Sequence, residues 1–149
     1  MDIMIYTDGS CVKKIGGYSY IVLHQNNIVK QHYGRVPFDP CTNQIAELYA
    51  IKMALYHIHD NIHHCYDGCH IIIRTDSQYA IDCLTKWIIK WKTNGFLTFN
   101  KKPVKNKELI IQCVDLLSAN ITFEHVYAHR DDQYNNFADK IANLGREKK

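Results

Sequence analysis

The sequence predicts an α/β fold, a five-stranded mixed sheet flanked by helices. Three observations point there. Two short apolar runs, residues 2–7 and 70–75, each end in Thr-Asp followed by a small residue. A long stretch with helical spacing lies between them, and helix between strands is the pattern of a parallel crossover. Ahead of that helix, turn signals divide the chain into three strand-length segments.

Residues 2–7 read as a buried strand. Gly16-Gly17 signals a turn, and Tyr18 to Leu23 a second strand. Asn26-Asn27 is a hairpin signal leading into a third, Ile28 to Tyr33. Pro37, Asp39 and Pro40 then break the pattern, and Thr42 or Asn43 can cap a helix from about Gln44 to His59. Its apolar positions Ala50, Ile51, Ala54, Leu55 and Ile58 are spaced three and four apart, and Glu47 falls on the same stripe. Asp67-Gly68 is a turn before the strand His70 to Thr75, which a right-handed crossover places parallel to the first. A helix follows, capped by Asp76 or Ser77, and another covers about Val104 to Leu117. Ile121 to Tyr127 alternates as the fifth strand. Asp139 opens a last helix with Ala138, Ile141 and Ala142 inward.

At 149 residues, 46% hydrophobic and 22% charged, the chain suits one soluble globular domain spanning 1–149. No run of 18 apolar residues argues for a membrane span. The N-terminus enters a strand without a basic or apolar leader pattern, so an intracellular protein is expected. Its six cysteines are then expected as thiols. The net charge of +3 is too small to identify a partner by itself.

Four acids stand where charge has little structural use: Asp8 and Asp76 at the ends of two parallel strands, Glu47 on an apolar helix face, and Asp139 beside a second one. The C-terminal rim of such a sheet is where ligands bind. Two carboxylates 4 Å apart repel by roughly 4 kcal/mol at an effective dielectric near 20. A hard divalent cation removes that repulsion. Either Thr-Asp taken alone is as easily a turn or a helix cap; the four together favour a metal site.

Residues 84–107 hold Lys86, Lys90, Lys92, Lys101, Lys102, Lys105 and Lys107 and no acid, with Trp87 and Trp91 at i,i+4 spacing. Such a segment suits a phosphate backbone with aromatic faces against sugars or bases. A solvated lysine face over a tryptophan-anchored core is the alternative. His57, His59, His63, His64, Cys65, Cys69 and His70 also crowd together, but their spacing matches no standard zinc finger.

Several motifs resemble the type 1 ribonucleases H over nearly the whole chain and in the same order. They are Tyr-Thr-Asp-Gly-Ser-Cys (6–11), Thr-Asn-Gln-Ile-Ala-Glu-Leu (42–48), Thr-Asp-Ser-Gln-Tyr (75–79), Lys-Lys-Pro-Val-Lys-Asn (101–106), and His129 with Asp139 ten residues later. The resemblance is to the bacterial form, whose basic protrusion matches residues 84–107. It implies a ribonuclease H-like fold and an endonuclease that hydrolyses the RNA strand of RNA–DNA hybrids with two magnesium ions, manganese being a substitute. Asp8 would then touch both ions, Asp139 the ion beside the attacking water, and Glu47 and Asp76 the ion beside the leaving 3′ oxygen. His129 would aid proton transfer or product release. Asn43 and Gln78 match positions that contact the hybrid near the cut. Thr42 and Asn106 match a pocket for a DNA phosphate, and Trp87, Trp91 and Phe96, with Lys90, Lys92, Lys101 and Lys102, match the protrusion along the DNA strand. No obligatory protein partner is implied, and a monomer is expected. Three features depart from the family pattern: a shortened first loop (Cys-Val-Lys-Lys-Ile-Gly-Gly), Pro40 where some relatives carry arginine, and Phe96 in place of tryptophan.

Overall fold

The computed structural model describes residues 1–61, 66–127 and 132–148. Its sheet has five strands: β1 (Asp2–Val12), β2 (Ile15–His24), β3 (Asn27–Arg35), β4 (His70–Thr75) and β5 (Ile121–His125). The spatial order is β3-β2-β1-β4-β5. β1 runs antiparallel to β2 and parallel to β4, as the crossover rule requires. The helices are α1 (Asn43–Asn61), α2 (Gln78–Asp82), α3 (Ile88–Asn94), α4 (Lys107–Val114) and α5 (Gln133–Gly145), with a π-helical turn over Cys83–Trp87 between α2 and α3. None of the described helices is long and apolar enough to cross a membrane.

β1 is the middle strand and carries side chains to two cores. Ile3 and Ile5 join Leu48, Ile51 and Leu55 of α1 on one face, with Ile71 and Ile73 from β4. On the other face Tyr6 joins Ile21 and Leu23 of β2 and Ala138 and Ile141 of α5. This alternation is the two-residue period of a strand applied to a sheet covered on both sides.

Four sequence boundaries shift. Gly16 and Gly17 lie inside β2, and the first turn is Lys13-Lys14, both at positive φ. That pair takes the backbone of a tight two-residue hairpin without any glycine. Gly17 is needed for another reason: a Cβ there would collide with the Ala142 carbonyl and the Arg146 backbone, where the end of α5 lands on β2. The second turn is Gln25-Asn26, one residue earlier than the Asn-Asn signal suggests. α4 starts at Lys107, because Val104 is tied back to Phe96 by a backbone hydrogen bond. β5 ends at His125.

Asp139 does not open a helix. It lies in the middle of α5, which starts at Gln133 with Asp132 as its cap. The Asp132 carboxylate accepts from the Tyr134 and Asn135 backbone N–H groups, which the first turn leaves free. Asp132 is therefore a capping residue.

Candidate active site

Asp8 and Asp76 reach one rim because their strands are in register. The β1–β4 ladder ends with Tyr6 opposite Arg74, and each aspartate follows two residues later. β4 stops at Thr75, and Ser77 turns the chain into α2 by accepting from the Ala80 N–H at 3.1 Å. β1 instead runs on beside β2, so Asp8 stays inside the sheet with only 3% of its surface exposed. Glu47 comes up from α1 and is 9% exposed. It is held by the backbone N–H of Gly9, which donates to Glu47 Oε1. That contact needs glycine, since a Cβ at position 9 would collide with the backbone of Ala46 and Glu47.

Asp8, Glu47 and Asp76 each present a carboxylate oxygen within 4.8 Å of the others. Asp139 lines the same cleft of about 290 Å³, together with Gly9, Asn43, Gln44 and Ser77. All four predicted acids therefore meet at one place. Three of them form the tight cluster, and Asp139 borders it from α5.

The electrostatics match a site built for a cation. Burial, then the Asp76 charge and the Asp139 hydrogen bond, push the Asp8 carboxyl from its ordinary value of 3.8 to about 8. Burial first, and then Asp8 and Asp76, raise Glu47 well above the usual glutamate range. Asp8 Oδ2 is buried without a hydrogen-bond partner. An orphaned carboxylate oxygen is expensive unless something outside the protein satisfies it. A set of hard oxygen donors around such an atom fits magnesium or manganese and offers no soft ligand for zinc.

The expected substrate residues divide. Asn43 lines the carboxylate cleft. The Thr42 hydroxyl is engaged as a cap, accepting from the Ile45 N–H at 3.1 Å. Gln78 is exposed on α2 and donates to Asp82 Oδ1 at 2.9 Å. Asn106 adopts positive φ ahead of α4, donates to the Tyr79 hydroxyl at 3.1 Å, and lines a second cleft with Phe38, Ile45 and Lys107. The His129 assignment falls outside the described residues.

In the basic segment Trp91 and Phe96 pack against the α1-side core, while Trp87 is 42% exposed. The three rings form a chain with centroid spacings of 5.8 Å and 6.3 Å. Lys86, Trp87, Lys90, Trp91 and Thr98 line a cleft of about 500 Å³. Lys92, Lys101 and Lys102 are exposed. Trp91 thus anchors the segment on the core, and Trp87 leaves its ring partly exposed.

Two described histidines of the histidine–cysteine cluster have separate partners. His57 meets the Tyr66 hydroxyl, His70 meets Thr122, and Cys69 is buried. His63, His64 and Cys65 lie outside the described residues.

Some neighbours of the site gave little sequence signal. Ser10, Ser19 and Asn143 read as ordinary strand and helix residues, yet they bond β1 and β2 to α5 around Asp139. Tyr6 donates to Asp132 and accepts from Arg74. Arg74, a lone charge inside the apolar run of β4, was the one visible hint.

A family model described as RNase H matches residues 1–147. Ribonuclease H of Clostridium botulinum is 36% identical over 95% of this chain and 93% of its own length. Ribonuclease H of Wolbachia pipientis wMel is 38% identical over 95% of this chain and 92% of its own. Among solved structures, a foamy viral protease-reverse transcriptase in complex with RNA/DNA hybrid superposes with a TM-score of 0.83. At 24% identity, covering 97% of this chain and 20% of that one, it supports the fold.

Proposed function

This chain belongs to the ribonuclease H family, and we propose that it hydrolyses the RNA strand of RNA–DNA hybrids by a two-metal mechanism, leaving 5′-phosphate and 3′-hydroxyl ends. The observation that carries the reading is the carboxylate cluster: three acids within 4.8 Å of one another, with a buried Asp8 oxygen left unpartnered.

In this reading Asp8 and Asp139 would hold one divalent cation, and Asp8, Glu47 and Asp76 would hold the other. When bound, the paired ions supply a nucleophile near neutral pH and neutralise charge on the leaving oxygen. The protein's own part is placement. The Gly9 N–H fixes the Glu47 carboxylate, the β1–β4 register fixes Asp8 against Asp76, and α5 brings Asp139 to the cleft edge. Magnesium is the expected ion, with manganese able to replace it. His129 is assigned to proton transfer or product release.

Asn43 and Gln78 are assigned to the hybrid near the cut, where a 2′-hydroxyl separates RNA from DNA. Thr42 and Asn106 are assigned to a DNA phosphate, and the Thr42 hydroxyl, which only accepts in its cap, keeps its O–H to donate. Trp87, Trp91 and Phe96, with Lys90, Lys92, Lys101 and Lys102, are assigned to the protrusion along the DNA strand. All four acids come from one chain, and the reading expects a monomer without an obligatory protein partner.

The test is a strand-labelled RNA–DNA hybrid incubated with magnesium, beside duplex DNA and duplex RNA of the same sequence. Cleavage confined to the RNA of the hybrid is expected. Preferential cutting of duplex DNA would point instead to a DNA nuclease of this fold, and binding without cleavage to a hybrid-binding module.

A further inference from the structure

We propose that Tyr6, Ser10 and Ser19 are positioning residues that set the Asp139 carboxylate against Asp8 and thereby tune the affinity of the cluster for divalent cation. The proposal rests on the reading of Asp139 as a metal ligand.

The strand period places Tyr6, Asp8 and Ser10 on the one face of β1 that α5 covers. Ser19 lies directly opposite Asp8 across the β1–β2 pair. Each of the three side chains bonds to α5 at a different height. The Tyr6 hydroxyl donates to Asp132 Oδ2 at 2.8 Å, and Asp132 caps the helix. The Ser19 hydroxyl, fully buried, donates to the Ala138 carbonyl at 2.7 Å, one residue before Asp139. The Ser10 hydroxyl donates to Asn143 Oδ1 at 2.6 Å, one helical turn beyond Asp139. Tyr6 is itself held, because Arg74 Nη1 donates to its oxygen at 2.8 Å and Arg74 is anchored on Glu124 at 2.9 Å.

These bonds answer a specific difficulty. α5 docks through Ala138 and Ile141 on Tyr6, Ile21 and Leu23, and apolar contact of that kind is not directional. A productive metal ligand must be held to within roughly 0.5 Å. Once Asp8 and its neighbours ionise, as they must to hold a cation, their repulsion acts to push Asp139 away from the position it must occupy. Three directional hydrogen bonds, before, beside and after Asp139, oppose that displacement in advance of binding. Two of them come from the strand that carries Asp8, so the two carboxylates are referenced to the same backbone.

The test compares Tyr6→Phe, Ser19→Ala and the double variant with the wild type. It uses calorimetric titration of magnesium without substrate, thermal melting in chelator, and hybrid cleavage across a magnesium series. The double variant should need roughly 10-fold more magnesium at the binding midpoint. Cleavage should return toward the wild-type rate at saturating magnesium. Ser19→Thr, which keeps the hydroxyl, should keep the wild-type midpoint, and Tyr6→Phe and Ser19→Ala singly carry the test if the double variant does not fold. Asn120→Ala, which removes a 3.0 Å bond to the Cys69 carbonyl at the opposite rim, should lower the melting temperature without moving the midpoint. Variants that melt earlier but bind magnesium as the wild type does would overturn the proposal. An unchanged midpoint in Asp139→Asn would instead overturn the ligand assignment beneath it.

Discussion

The carboxylate cleft and the basic aromatic segment handle charge in opposite ways. In the cleft, Asp8 and Glu47 are buried among strands and helix, and the Asp8 carboxyl is pushed up to about 8. In the segment, Lys90, Lys92, Lys101 and Lys102 stand in solvent, and Phe99 at its tip is 95% exposed. The first region concentrates repulsion that protonation or a bound cation relieves. The second keeps its charge hydrated and available to an extended polyanion. In the proposed function the buried acids would serve small hard ions, and the exposed lysines would serve a long partner.

Substitutions at the two regions should differ in kind as well as in size. Asp8→Asn or Asp76→Asn should reduce cleavage to background while folding is retained, and in chelator either variant should melt at a higher temperature than the wild type. Near-normal turnover in either would refute the metal assignment. Gly9→Ala forces a methyl into the α1 backbone and should destabilise by about 3 kcal/mol, with loss of activity as Glu47 is displaced. Denaturant unfolding measures the first effect, and an unchanged midpoint would mean that β1 and α1 can separate freely.

The combined replacement of Lys90, Lys92, Lys101 and Lys102 by Ala should act on binding alone. Hybrid affinity should fall, and the slope of log affinity against log salt should flatten by roughly 0.7 to 0.9 for each lysine that meets a phosphate. A slope equal to the wild-type value would remove the segment from the interface.

The smallest effect is on stability against pH. A buried Asp8 with a raised pKa contributes most to stability below its ordinary value of 3.8, and the contribution is lost as pH rises through about 8. Glu47 shifts in the same direction. Metal-free protein should therefore lose melting temperature between pH 4 and pH 8, and the gain from added magnesium should grow across the same window by mass action. A magnesium gain independent of pH would contradict the coupling.

How far the sequence reveals these features depends on the physical origin of each. Asp8, Asp76 and Glu47 are legible because an acid ending an apolar strand, or lying on an apolar helix stripe, breaks a local pattern. The parallel β1–β4 pair follows from the crossover rule. Asp139 shows its helix but not its place in it, because the start of α5 is set by the Asp132 cap. The turns at Lys13-Lys14 and Gln25-Asn26 lack the usual glycine, so the strands extend past their sequence boundaries. The π-helical turn at Cys83–Trp87 and the positive φ of Phe96 and Lys101 shape the basic segment and leave no periodic trace. Ser10, Ser19 and Tyr6 act across long sequence separations, which only the folded chain brings together.

The central claim is that Asp8, Glu47, Asp76 and Asp139 cradle a pair of divalent cations. Anomalous diffraction from manganese-soaked crystals grown with an RNA–DNA hybrid tests it most directly. Two peaks should appear in the cleft, both in contact with Asp8, one also with Asp139 and the other with Glu47 and Asp76. Density confined to other surfaces, or a cleft without manganese, would contradict it.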